Sequence, residues 1–268
     1  HDGRMGTIAI TGSASGMGAA TSARLRADVH TVIGVDLHDA DIAADLGTLE
    51  GRQAAIDGVL DACGGVLDGF VPFAGLGPLP DRPGPIVVSV NYFGAITLLE
   101  GLRPALAAAP DGAAAVAISS NSTTVQPGVP AAVVEACLAG DEAVARAASE
   151  ADGSFGAYPA TKTAIARWCR RAAVTDEWIG AGINLNVVAP GMVATALVEE
   201  GLADPMLAPF LKDFPLPVGR PGKAEELAAF VAFLLGPEAK FFVGSLLFVD
   251  GGTDALLRPD DVPNNWVL

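Results

Sequence analysis

The sequence predicts an α/β protein built on one doubly wound parallel sheet of about seven strands, in three α/β/α layers. Three observations predict it. Apolar runs of five or six residues alternate with helical patterns almost throughout. These runs are continuous rather than alternating, as in strands covered on both faces. Strand–helix alternation implies right-handed crossovers, which wind a parallel sheet.

In order, Thr7–Thr11 reads as the first strand and Met17–Arg26 as a helix with small residues on one face. Thr31–Asp36 is the second strand and Ile42–Leu46 a weak third. Thr48 is placed to cap a helix running to Cys63, with Gly64 as its stop. Gly69–Ala74 is the fourth strand, followed by a long helix over about Val87–Ala109. Ala114–Ser119 is the fifth strand, then a helix over about Pro159–Glu177. Asn184–Ala189, a helix over Lys223–Leu235, and Ser245–Val249 complete the set. One sheet uses the whole chain and no linker or repeat divides it, so 5–268 read as a single domain. His1–Arg4 precede Met5 and read as residues foreign to the native start.

Two stretches interrupt the alternation. An insertion spans 121–157; within it Pro130–Glu150 is helical in pattern, with Val133, Val134, Cys137 and Leu138 on an apolar face. The second, 193–222, is rich in proline and large apolar residues, among them Leu197, Leu202, Met206, Leu207, Phe210, Leu211 and Phe214. Long connections in compact domains usually act as lids or partner surfaces, the alternative being a packing excursion.

Composition narrows the function. The 268 residues carry 16 basic and 31 acidic side chains, a net charge of −15. Phosphate backbones and anionic membrane surfaces call for a Lys/Arg footprint, so neither nucleic acid nor membrane is an expected partner. With 51% hydrophobic and 18% charged residues, a large core is expected. Cys63, Cys137 and Cys169 are an odd number without paired spacing, which fits buried thiols rather than disulfides or zinc. Three histidines give no metal site. No unbroken apolar run reaches about 18 residues and no basic-then-apolar leader is visible, so a cytoplasmic protein is expected.

The chemistry lies in four places. Thr11-Gly12-Ser13-Ala14-Ser15-Gly16-Met17-Gly18 follows a strand and opens a helix. Glycines there allow a tight turn and close approach to a pyrophosphate, which meets the N–H groups and dipole of the helix. With 32 glycines in the chain the string alone is weak evidence; its strand–turn–helix position strengthens it. Asp36 ends the second strand, where a carboxylate hydrogen-bonds adenosine ribose hydroxyls and repels a 2′-phosphate. That selects NAD over NADP; an ordinary turn aspartate is the bland alternative. Tyr158 and Lys162 are four apart and share a helix face. A lysine ammonium one turn away favours tyrosinate, so it is expected to lower the phenol pKa from about 10. The pair would then move a proton to or from a carbonyl or alcohol oxygen. With two Tyr and four Lys in the chain, such a pair arises by chance in roughly 3% of cases. Ser119-Ser120 ends strand five, at the edge where ligands enter doubly wound sheets. A serine pair alone more often starts a turn.

These motifs, with Asn91-Tyr92-Phe93-Gly94, Asn186-x3-Pro190-Gly191, Thr195 and Val249-Asp250-Gly251-Gly252, resemble the short-chain dehydrogenase/reductase family over essentially all of the chain from Met5. The segments Ile33–Asp36, Ala74–Pro78, Ser89–Ala95 and Asp250–Pro259 resemble its bacterial hydroxysteroid-oxidising branch, as does the insertion before Tyr158. The resemblance implies a Rossmann-type fold, NAD as cofactor, and Tyr158 as catalytic acid/base. It implies Ser120, rather than Ser119, as the residue that orients the substrate oxygen. Lys162 would bind the nicotinamide ribose and Asn91 would hold a relay water. Gly12, Ser15, Gly16, Met17, Gly18, Asp36, Leu37, Ala74, Gly75, Pro190, Val193 and Thr195 would line the cofactor, with Asp45 and Leu46 beside the adenine.

The implied activity is NAD-dependent interconversion of a secondary alcohol and a ketone on a bulky hydrophobic substrate, a hydroxysteroid first. An alicyclic or terpenoid alcohol is the alternative, and a non-catalytic nucleotide sensor a distant third. A homodimer or homotetramer is implied as well. Two departures stand out. The family's Asn-Asn-Ala-Gly after strand four is Pro72-Phe73-Ala74-Gly75, and the link from Asp36 to Asp45 is short enough to reduce a helix to a turn.

Overall fold

The computed structural model describes residues 5–261. His1–Arg4, read above as foreign residues, and the side chain of Leu197 lie outside the described part. Seven strands form one parallel sheet in the order β3-β2-β1-β4-β5-β6-β7. They are β1 Thr7–Thr11, β2 Thr31–Asp36, β3 Ile42–Ala43, β4 Gly69–Pro72, β5 Ala113–Ile118, β6 Ile183–Pro190 and β7 Leu246–Val249. The order reverses between β1 and β4, which opens a crevice beyond the C-terminal strand ends.

Helices cover both faces. On one lie α2 (Leu49–Cys63), α3 (Gly84–Val87), a π-helical turn (Val88–Phe93), α4 (Gly94–Ala107) and α8 (Gly153–Ala172). On the other lie α1 (Gly16–Ala27) and α11 (Ala224–Leu235). β5 shows how its sequence serves both faces. Ala115 and Ala117 point to the α4/α8 side, where small residues let those helices come close. Val116 and Ile118 point to the α1/α11 side. Thr48 caps α2 by accepting from the Gly51 N–H, and Gly64 ends it with a φ of +60°.

Several expectations need correction. The third strand is two residues long, because Asp45 turns the chain: its carbonyl accepts from Thr48 N–H and its carboxylate from Gly47 N–H. β7 is only half-buried, as an edge strand is, so not every strand is covered on both faces. The helix bearing Tyr158 begins at Gly153, six residues before Pro159, and ends at Ala172. Proline inside a helix leaves the carbonyl four residues back without a donor. Here that carbonyl, Phe155 O, accepts from the Gln126 side chain at 2.9 Å.

The segment Gly84–Ala107 is long and apolar enough to span a membrane by composition, although no single run suggested it. Its most apolar window is 67% buried, as befits a core helix against a sheet. The insertion contains α5 (Ser122–Val125), α6 (Ala131–Leu138) and α7 (Glu142–Ser149), the last two separated at Gly140, whose φ is +74°. It packs on α3, the π turn and α8. The 193–222 segment carries α9 (Ala196–Ala203) and α10 (Ala208–Lys212). α12 (Thr253–Leu257) follows β7.

Leu102 is fully buried on α4. Leu102→Ala is expected to lower unfolding free energy by about 2–5 kcal/mol, read from the urea midpoint at unchanged m-value.

Candidate functional site

The loop after β1 folds back on β2, with the Gly12 and Ser13 N–H groups both directed at Val35 O. Gly12 has a φ of +68°, and a Cβ there would stand 2.7 Å from Ala74 N. A Cβ on Gly18 would stand 2.0 Å from Gly12 O. No side chain fits at either place. The loop and the first turn of α1 therefore present bare backbone. Ser15 is the N-cap of α1 yet makes no side-chain cap bond, so its hydroxyl and the first-turn N–H groups remain available to an anion. Gly16, at a φ of +53°, faces Thr195. This cradle fits a dinucleotide pyrophosphate.

Asp36 stands at the end of β2. One carboxylate oxygen accepts from Ala14 N–H at 3.0 Å and the other from Leu37 N–H at 2.7 Å. Each oxygen keeps a lone pair for a hydroxyl. Leu37 is exposed, and Asp45 is exposed with its carboxylate on Gly47 N–H. Leu46 is buried in the core. Met17 and Phe73 pack against the α1/α11 core cluster. Pro72 and Phe73 stand where the family has its two asparagines, and the next N–H, that of Ala74, donates to the buried Thr11 hydroxyl at 3.1 Å.

The catalytic candidates converge from three elements. α8 brings Tyr158 and Lys162. Lys162 Nζ donates to Ile118 O, the last residue of β5, at 3.0 Å. Ser119 Oγ donates back to Lys162 O at 2.9 Å. Ser119 is thereby committed to holding α8. Ser120 instead accepts from Ser122 N–H at 3.1 Å and stands close enough to Tyr158 to act on its phenol. Asn91, from the π turn, is paired with the Leu76 backbone through both amide atoms, at 2.7 and 3.0 Å. A Cβ on Gly75 would lie 3.3 Å from Asn91 Oδ1 and 3.7 Å from Lys162 Nζ, so these two groups meet over Gly75.

Electrostatics correct one expectation. Burial pushes the Tyr158 phenol above its usual range, and the nearby Ser120 hydroxyl only partly opposes it. Lys162, 5.9 Å from the Tyr158 ring centre, does not lower it here. Burial pulls the Lys162 ammonium itself down to about 8.

β6 supplies Pro190, whose carbonyl accepts from Asn121 N–H. Val193, buried, bridges to Gly222. That bridge closes the base of the 193–222 segment. A groove of about 670 Å³ runs between Leu76–Ile86 and α9. Its walls are largely apolar, with Leu76, Leu79, Pro83 and Ile86 facing Ala203 and Pro205. Arg82 and Glu200 approach across it at 4.0 Å. Ser154, one turn before Tyr158, holds the near wall by exchanging two hydrogen bonds with the Leu79 backbone. A cavity of about 790 Å³ lies at the opposite, N-terminal end of the strands, beside Gly6, Asp68 and Ala113, remote from this chemistry.

The sequence did not reveal Ser122, Ser154 or Gln126 as supports. Each acts through its backbone or through a partner distant in sequence, and leaves no motif.

Known proteins resemble this chain in sequence and fold. A family model described as enoyl-(acyl carrier protein) reductase matches residues 143–254. The 3-alpha-hydroxysteroid dehydrogenase/carbonyl reductase of Comamonas testosteroni is 42% identical over 95% of this chain and 99% of its own. The crystal structure of the 3-alpha-hydroxysteroid dehydrogenase from Pseudomonas sp. B-0831, complexed with NADH, superposes with a TM-score of 0.90 at 48% identity. It covers 95% of this chain and 99% of that one. The cis-4-hydroxycyclohexanecarboxylate dehydrogenase of Sinomonas cyclohexanicum is 40% identical over 37% of this chain and 38% of its own.

Gly18→Ala should displace the Gly12 loop and weaken NADH binding in a fluorescence titration of the folded variant; unchanged affinity would contradict the cradle. Lys162 gives a pH test. Its folded pKa, about 8, lies below its ordinary 10.5, so the unfolded chain holds the proton over that interval. Stability relative to Lys162→Met should rise with pH from 8 to 10.5, with the full burial penalty present below 8. Tm measured across that range checks the sign.

Proposed function

The chain belongs to the short-chain dehydrogenase/reductase family, and on that premise we propose that it is an NAD-dependent oxidoreductase interconverting a secondary alcohol and a ketone on a bulky hydrophobic substrate, foremost a hydroxysteroid. The observation that carries this reading is the meeting of Ser120, Tyr158, Lys162 and Asn91 near Gly75, with a largely apolar groove reached through Leu76, which Asn91 holds. A whole-chain likeness to hydroxysteroid dehydrogenases supports the substrate class.

When bound, NAD supplies hydride exchange with the carbinol carbon. The protein does the rest. Gly12, Gly16, Gly18 and the start of α1 hold the pyrophosphate. Ala74, Gly75, Pro190, Val193 and Thr195 line the nicotinamide half. Asp36 accepts from the adenosine ribose and disfavours a 2′-phosphate. Ser120 takes an N–H from Ser122 on its oxygen, and its own proton, which otherwise steadies the Tyr158 oxygen, orients the substrate oxygen when that is bound. Tyr158 gives that oxygen a proton in reduction and removes one in oxidation. Its phenol is costly to ionise in a buried site, so the Lys162 ammonium is needed most when the phenolate forms. Asn91, beside Lys162, extends the proton path outward.

A second substrate class, alicyclic alcohols, is favoured by the partial likeness to a hydroxycyclohexanecarboxylate dehydrogenase. Assembly as a homodimer or homotetramer is part of the same reading; fully exposed Phe241, near edge strand β7, leaves apolar surface for it.

Tyr158→Phe should cut kcat by about 100-fold or more while leaving NADH affinity nearly intact. Retained turnover would refute the assignment. Asp36→Ala should erode the preference for NAD over NADP, compared as kcat/KM. A panel of steroids, cyclic ketones and small polar sugars should give turnover with the first two; turnover with sugars alone would overturn the substrate class.

A further inference from the structure

We propose that Arg52 and Glu142 form a positioning pair through which the insertion sets the geometry of the catalytic centre. Arg52 lies on α2 and is almost wholly buried. Nε donates to Leu46 O at 2.8 Å and Nη2 to Ser89 O at 3.0 Å. Nη1 and Nη2 grip the Glu142 carboxylate at 2.7 and 2.8 Å. Glu142 opens α7 in the insertion, 90 residues away in sequence. From the same helix Arg146 donates to Ser89 Oγ and to Pro85 O. One guanidinium thus joins the loop beside the expected adenine position, the π turn and the insertion.

Ser89 O is where the pair reaches the chemistry. That carbonyl also accepts from Gly94 N–H, the five-residue bond that makes the turn a π turn. Asn91 sits inside this turn, from which it pairs with Leu76 and meets Lys162 over Gly75. The guanidinium is a rigid planar fork. With the carboxylate seated across both Nη atoms, Nε and the remaining Nη2 proton are aimed at Leu46 O and Ser89 O. Without the carboxylate, a buried cation loses its counter-charge and must turn toward other acceptors. Ser89 O is then released. Relaxation of the π turn to α register rotates Asn91 by about 100°, the angle per residue of an α-helix. Asn91 would leave Leu76, and the proton path would lose its place beside Lys162.

The role rests on Asn91 belonging to the site, as proposed above. Glu142→Gln keeps the shape of the side chain and removes its charge. It should lower kcat by about 10- to 100-fold, the scale of misplacement by an ångström or so, with little change in substrate KM. Amide exchange at Gly94 should quicken in parallel. Arg52→Met with Glu142→Leu replaces the ion pair by apolar packing and should recover Tm. In that double variant kcat should stay low; recovery of kcat together with Tm would overturn the proposal, because the pair would then only hold the insertion in place. In an Asn91→Ala background Glu142→Gln should cause no further loss of kcat. Additive losses would also overturn it. An Asn91→Ala variant with unaltered kcat would instead overturn the role of Asn91 on which the pair depends.

Discussion

The clasp between α8 and the end of β5 is the interaction on which the site depends. Lys162 Nζ reaches down to Ile118 O, and Ser119 Oγ reaches up to Lys162 O. Two hydrogen bonds at one contact fix both the height and the rotation of α8 against the strand. Tyr158, one turn earlier, is thereby placed against Ser120, the next residue after Ser119. The clasp has a cost, since it desolvates a cation. A buried ammonium is tolerated because it is bonded to a carbonyl and because its pKa falls toward neutrality. The same burial makes the lysine responsive to charge forming nearby, a property an exposed lysine would lack.

Around this clasp, each irregularity of the backbone is matched by a polar side chain. Pro159 strands Phe155 O, and Gln126 donates to it. The 76–82 loop has no ladder partner, and Asn91 and Ser154 supply one. The break after β4 is met by Thr11. Buried backbone groups left unpaired cost about as much as lost hydrogen bonds, so such matches determine where loops can stand. They also tie the groove wall to α8. Ser154 thus links the wall at Leu79 to a point one helical turn from Tyr158.

What the sequence made legible follows from the range of each interaction. The sheet, the Thr48–Gly64 helix, the glycine cradle and the Tyr158/Lys162 pair rest on patterns within a few residues. Departures arise where a distant partner decides. Pro159 looks like a helix start until Gln126, 33 residues earlier, satisfies the carbonyl it frees. Ile42–Leu46 looks like a strand until Asp45 folds onto Thr48 and Gly47. The π turn leaves no local mark, since its extra residue is held from α2 and, through Arg52, from α7. The direction of the Tyr158 pKa was misjudged because spacing reveals a neighbouring charge but not how much water is excluded.

The acidity of the chain takes on a different meaning once its carboxylates are placed. As composition, a charge of −15 reads as solvated surface with one acid, Asp36, reserved for a ligand. Many of the acids are instead engaged with backbone N–H groups. Asp68 receives Thr7 N–H at the start of β1, and Asp41 receives Gly34 N–H in β2. Asp141 caps α7, and Asp250 receives Gly252 and Asp254 N–H ahead of α12. Asp254 in turn accepts from Thr124, four residues after Ser120. Hydrogen bonds from backbone N–H to a carboxylate are charge-assisted and stronger than neutral ones. A chain with many loops and few basic residues can therefore brace its turns with acids bonded to backbone N–H groups, with an ion pair such as Asp254–Arg258 at only some of them. The excess of acids over bases is then partly a consequence of how the loops around the site are held, and only partly a matter of solubility.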